Sequence, residues 1–155
     1  MDEIGFSKIM VAIGGSEPSL DAASYAISLA EVYHSELTAL YVMSAKTQDD
    51  YDSDMQVERM PESVKKILDE AKRESNPWFT RIRGEISPES TIKFHSKIII
   101  SPVRASGIIV NYAENMNVEL IVVGTRGRSG FKRLLLGSVA SDIVTYAHCP
   151  VLVVK

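Results

Sequence analysis

The residues best suited to chemistry in this chain fall between positions 124 and 139, GTRGRSGFKRLLLGSV, directly after the apolar run Leu120-Ile121-Val122-Val123. Gly124, Gly127 and Gly130 free the backbone for positive φ and for close approach to a ligand, and Gly137-Ser138 opens the helix that should follow. Backbone N–H groups at a helix start face an anion, and the helix dipole adds about 0.3–1 kcal/mol. A strand, a glycine-rich loop and a helix start in that order make a phosphate cradle. Arg126, Arg128, Lys132 and Arg133 render the loop electropositive, although each also reads as an ordinary solvated charge.

Groups for acid–base or covalent catalysis are sparse around this cradle. Ser129, Ser138 and Ser141 have no histidine and carboxylate near them in sequence, and Asp142 suits the first turn of the last helix better than the role of a base. His34, His95 and His148 each stand alone, and His95 reads as a half-exposed strand residue rather than a metal ligand. Asp50, Asp52 and Asp54 have the alternate spacing of a calcium loop. Its sixth position, however, is Met55 where glycine is wanted, and its twelfth is Pro61 where glutamate is wanted. These aspartates read as part of a solvated acidic loop.

The elements that must position the cradle follow from apolar periodicity. Residues 8–13 (KIMVAI) form a short apolar run ending in Gly14-Gly15, as expected of a strand buried on both faces of a parallel sheet. Ser16, Glu17 and Pro18 then mark a helix start, and Leu20, Ala23, Ile27 and Ala30 recur at helical spacing. Residues 37–42 (LTALYV) make a second strand. Residues 44–60 are polar and acidic and read as a surface loop. Pro61 begins a helix with an apolar stripe of Val64, Ile67, Leu68 and Ala71. Pro77 should bend it or split it in two, with Trp78 and Phe79 as core anchors. Residues 91–100 give a third strand, and Ile108, Ile109, Tyr112, Ala113 and Met116 a helical face. Residues 120–123 give a fourth strand, Val139, Ile143, Val144 and Ala147 line a last helix, and residues 151–154 a last strand. Strands alternating with helices argue a doubly wound parallel sheet, whose ligands bind beyond the carboxyl ends of the strands.

The bulk numbers agree. A chain of 155 residues suits one domain, 1–155, burying roughly 70% of its unfolded surface. It is 45% hydrophobic and 24% charged, ordinary for a globular protein. A net charge of -3 and a pI near 5.6 argue against coating nucleic acid or anionic lipid. No apolar run approaches the ~20 residues that span a bilayer, so no membrane partner is expected. Cys149 is the single cysteine and no charged-then-apolar leader precedes Lys8, which together read as a cytoplasmic protein.

Two common nucleotide signatures, G-x-x-x-x-G-K-[ST] and G-x-G-x-x-G after the first strand, are both missing. The late glycines instead run Gly124, two residues, Gly127, nine residues, Gly137-Ser138. That spacing resembles the universal stress protein family, whose ATP-binding members carry G-x2-G-x9-G-[ST]. The resemblance spans the chain, from KIMVAI and GSEPS through LIVVGTRG to CPVLVV.

The resemblance implies an α/β fold: a three-layer, doubly wound, five-stranded parallel sheet, Rossmann-like and akin to the adenine nucleotide alpha hydrolases, with strand order 3-2-1-4-5. It further implies a homodimer formed through the C-terminal strand, residues 151–154. ATP or AMP, with Mg or Mn as accompanying metal, would lie across the ends of the first and fourth strands. By the same alignment Gly124 and Gly127 approach phosphates and ribose, Arg126 adds positive charge, and Gly137, Ser138 and Val139 offer backbone N–H groups and a hydroxyl. Ile13 and Val42 would edge the adenine. One position departs from the pattern: nucleotide-binding members usually carry an aspartate after the first strand, and here Gly14 stands in the run Ile13-Gly14-Gly15-Ser16. Losing one hydrogen bond to a charged group costs about 1.5–3 kcal/mol, or one to two orders of magnitude in affinity. The implied function is a nucleotide-binding regulatory dimer of the stress response with an unnamed protein partner. The alternatives are a dimeric scaffold that has lost nucleotide binding and a slow ATP hydrolase.

Overall fold

A computed structural model describes residues 4–125 and 136–155. Strand β1 (Lys8–Ala12) runs through the centre of the sheet with its apolar residues buried on both faces. Helix α1 (Glu17–Tyr33) starts where Ser16 accepts a hydrogen bond from the Ser19 amide at 3.3 Å. It buries Leu20, Ala23, Ile27 and Ala30 and stops at His34, which turns left-handed with φ 54°. Strand β2 (Glu36–Ser44) follows, then β3 (Tyr51–Asp52), a short 3-10 turn at Val57–Arg59, and helix α2 (Glu62–Glu85). Strand β4 (Lys93–Ser101), helix α3 (Ala105–Asn115), strand β5 (Leu120–Gly124), helix α4 (Ser138–Tyr146) and strand β6 (Val151–Val154) complete the order.

The strands lie in the order β3-β4-β2-β1-β5-β6. The five strands read from sequence pair in parallel and keep the expected 3-2-1-4-5 arrangement, but the sheet has six strands rather than five. The sixth is β3, inside the acidic segment expected to be a loop, which pairs antiparallel with the outer edge of β4. Polar bonds hold it there. The Ser53 amide donates to the Ile98 carbonyl at 2.9 Å, Ser53 Oγ accepts from the Ile98 amide at 3.0 Å, and Ser101 Oγ donates to Asp50. Lys97 Nζ meets Asp52 at 3.1 Å and Asp54 at 2.5 Å. The aspartates with calcium-like spacing are thus spent on a serine and a lysine of the neighbouring strand. Burial lowers the pKa of the Lys97 ammonium, but the hydrogen bonds it donates to Asp54 and Asp52, with the Asp52 charge, outweigh that and leave the value raised.

Helices α1 and α2 cover one face of the sheet, around Ile9, Val11, Leu37 and Ile100. Helices α3 and α4 cover the other, around Met10, Leu40, Ile121 and Ile143. Pro77 lies inside α2, which continues as one helix to Glu85. Its ring removes one donor from the helix ladder, and Arg73, whose carbonyl loses that partner, is exposed. Phe79 is buried and Trp78 half-buried, both packed on the α1–α2 side. Three residues of the expected apolar faces turn outward, Val139 among them at 36% exposed, at the first turn of α4. Met116 is 45% exposed because α3 ends at Asn115, and Val144 is 47% exposed because the buried stripe of the short α4 runs through Ala140 and Ile143.

Candidate functional site

In sequence the chain steps outward from β1 to β2 and β4 on one side, then returns to β5 and β6 on the other. Between β1 and β5 the winding therefore reverses, and a crevice opens there at the carboxyl ends of the strands. The crevice is a cleft of about 450 Å³. Ile13 and Gly14 enter it from the end of β1, Val42 from β2, Gly124 from β5, and Val139 from the first turn of α4. Five of the residues singled out from sequence therefore share one cavity. Helix α3 adds Ile109 and α2 adds Glu74.

The glycines here answer to different constraints. Among the described residues, a Cβ on Gly14 would meet nothing within 4 Å. Gly15 has φ +83°, and a Cβ there would lie 2.2 Å from Trp78 Cζ2; the indole occupies the space a side chain would need. A Cβ on Gly124 would lie 2.7 Å from both the carbonyl carbon and oxygen of Pro18. Glycine at 124 is thus demanded by the first turn of α1 pressing against the end of β5, a packing reason that holds with or without a ligand.

Gly137 is the N-cap of α4, but its amide donates to the Thr125 carbonyl at 2.5 Å. That bond joins the two ends of segment 126–135 and takes Gly137 out of the set of amides offered to an anion. Ser138 and Val139, the first two helical residues, are both exposed at this N-terminus. Arg126 and Gly127 lie outside the described residues, as do Arg128, Ser129, Gly130, Lys132 and Arg133.

Across the cleft, Tyr41 of β2 donates its hydroxyl to Glu74 Oε2 at 3.1 Å. Trp78 meets the Tyr41 ring edge-on, with centroids 5.1 Å apart. Behind Gly14, whose amide reaches Ser19 Oγ at 3.4 Å, that hydroxyl donates to the Ser16 carbonyl at 2.8 Å. Away from the cleft, His95 Nε2 lies 2.9 Å from Glu36 Oε1 on half-exposed strand positions, and burial pushes the Cys149 thiol up from its ordinary pKa. Among the described residues no group of three or more His, Cys, Asp or Glu is gathered to hold a metal ion, and no helix is long and apolar enough to cross a membrane.

Residues 5–155 match the sequence model of the Universal stress protein family. The chain belongs to that family. It is 35% identical over 150 residues to a universal stress protein of Methanocaldococcus jannaschii, covering 97% of this chain and 82% of that one. A solved universal stress protein of Lactobacillus plantarum superposes with a TM-score of 0.74 at 22% identity, over 99% of this chain and 100% of that one. Another, from Archaeoglobus fulgidus and solved in complex with dAMP, gives a TM-score of 0.65 at 20% identity, over 98% and 100%. At these identities the solved structures establish the shared fold.

Two polar residues in the cleft of this universal stress protein escape a reading of the sequence. Glu74 lies on a helix rich in charge, where nothing in the spacing distinguishes it from solvated neighbours such as Glu70. Tyr41 sits inside an apolar strand run and reads as core. Alternation does send residues 41 and 42 to opposite faces of β2, but only the packing of α2 onto one of those faces brings Glu74 to the hydroxyl.

Proposed function

We propose that this universal stress protein binds a nucleotide in the cleft at the β1–β5 crevice and acts as a regulatory dimer in the cytoplasm. The observation that carries the reading is the convergence of Ile13, Gly14, Val42, Gly124 and Val139 on one cavity at the reversal of strand order. The phosphates go to the N-terminus of α4, where the amides of Ser138 and Val139 and the helix dipole favour an anion. Gly127 and Arg126 supply the remainder of the cradle. The base lies flat between Ile13 and Val42, and ATP or AMP, with Mg or Mn, is the ligand the family pattern implies. The dAMP held by the Archaeoglobus fulgidus neighbour supports that choice.

The dimer forms through β6, which ends the sheet with Val151, Leu152 and Val153 only half-buried. An apolar edge strand is a template for a second copy. Bound ATP or AMP changes loop 124–137 and with it the surface a partner protein meets. Turnover, if present, is slow hydrolysis. A second reading, a dimeric scaffold without nucleotide, is favoured by Gly14, which offers no side chain to the adenosine half.

Mass spectrometry of small molecules released from the purified protein, with calorimetric titration of ATP, AMP and GTP, separates the two. A co-purified nucleotide, or binding in the micromolar range, is expected. No released nucleotide and no heat from any of the three at millimolar concentration would leave the scaffold.

A further inference from the structure

The outer edge of β4 is only partly covered. On the inner side all nine of its residues, Lys93–Ser101, are in register with β2. On the outer side β3 matches only Ile99 and Ile100, and Ser53 adds a last rung at Ile98. The chain then leaves the sheet, with the Asp54 amide donating to Asp52 Oδ1 at 2.8 Å and the Met55 amide to the Asp52 carbonyl at 3.0 Å. Backbone groups alternate sides along a strand. Those of Ile98 face Ser53, so the N–H and C=O of Ser96 and Phe94 also point outward, and among the described residues nothing pairs with them.

An open edge is a template for another strand and is ordinarily guarded by charge or proline. Phe94 and Ser96 bring neither. Their polar neighbours His95 and Lys97 stand on the opposite face and are engaged, His95 with Glu36 at 2.9 Å and Lys97 with Asp52 and Asp54. Between this edge and α2 runs a groove of about 580 Å³, lined by the buried Ile98 and Phe79 and by the exposed Lys72, Arg73 and Asn76. Arg83 continues the positive wall, its guanidinium 5.3 Å from the centre of the Phe94 ring. Asp54 also lines the groove, but its carboxylate lies 2.5 Å from Lys97 Nζ. Among the described residues neither Lys72 nor Arg73 is in an ion pair.

We propose that this groove docks an extended acidic segment of a partner protein, which joins the sheet as a strand beside residues 93–97. The segment's backbone pairs with the N–H and C=O of Phe94 and Ser96, continuing the line of β3. Its side chains on the α2 face meet Lys72, Arg73 and Arg83, which favour carboxylates. Among the described residues the groove shares no lining residue with the cleft at the β1–β5 crevice, so the proposal does not rest on the nucleotide reading.

The test titrates the full-length protein with fluorescein-labelled peptides of about six residues, enough to pass the open edge, and follows fluorescence anisotropy. One peptide alternates glutamate with valine, a second has lysine for glutamate, and a third is the acidic peptide N-methylated throughout. The acidic peptide should bind, the lysine peptide at least about tenfold more weakly, and the N-methylated peptide, stripped of backbone donors, not at all. Lys72→Glu combined with Arg73→Glu, both on the exposed wall, should weaken the acidic peptide at least about tenfold. No binding of the acidic peptide at millimolar concentration overturns the proposal, as does equal affinity for the lysine peptide, binding that survives N-methylation, or affinity unchanged in the double variant. Should that variant not fold, the three peptides on the wild type decide alone. A dimer that persists in Val153→Asp and is lost in a folded Ser96→Pro would assign the edge to a second copy and overturn the acidic segment.

Discussion

Replacing Gly124 by alanine tests whether that glycine serves packing. The new methyl would sit 2.7 Å from the Pro18 carbonyl carbon and oxygen and 3.0 Å from the Ser19 amide. All three are backbone atoms of a helix start fixed by the Ser16 cap, with the Leu20 amide bonded to the Ser16 carbonyl at 3.1 Å. On the other side, Gly124 is held in register with Val154 of β6. Neither partner yields cheaply, and overpacking of this kind costs about 1–3 kcal/mol. Alanine returns about 0.4–1 kcal/mol by restricting the unfolded chain, leaving a net loss of about 1–2 kcal/mol. In a chain of this size each kcal/mol moves Tm by about 2–4 °C, so Gly124→Ala should melt about 2–8 °C lower. Gly14→Ala is the control: its Cβ meets nothing within 4 Å among the described residues and its φ lies outside the positive range, so Tm should hold or rise by about 1–4 °C. Both variants are melted without nucleotide at matched concentration, followed by circular dichroism and by Trp78 fluorescence. If Gly124→Ala proves as stable as Gly14→Ala, the steric reasoning fails.

Two further predictions concern the surface. If the proposed dimer forms through β6, Val153→Asp on that half-buried edge strand should give monomer in sedimentation velocity where the wild type gives dimer, and a surviving dimer would move the interface elsewhere. Cys149, whose thiol burial holds above its ordinary pKa of 9.0, carries little thiolate near neutral pH. Iodoacetamide should therefore alkylate it much more slowly in the native protein than in urea at the same pH, and equal rates would contradict the burial.

Much of this protein is written locally. The apolar runs of β1, β2, β4, β5 and β6, the Ser16 cap and the stripe of Leu20, Ala23, Ile27 and Ala30 are short-range patterns, and short-range patterns decide helix and strand. Their alternation sufficed for a doubly wound parallel sheet, whereas the strand order and the placing of Ile13, Val42 and Val139 came only with the family resemblance; in the structure these residues line one cleft with Gly14 and Gly124. What the sequence leaves open depends on partners far away along the chain. β3 forms because Lys97 and Ser101 wait on a neighbouring strand, and no property of residues 44–60 alone announces them. The bond from Tyr41 to Glu74 spans 33 positions and exists only because α2 packs over the end of β2. Gly124 looks like a ligand-facing glycine in sequence; only the approach of α1, more than a hundred residues earlier, reveals the backbone it must make room for.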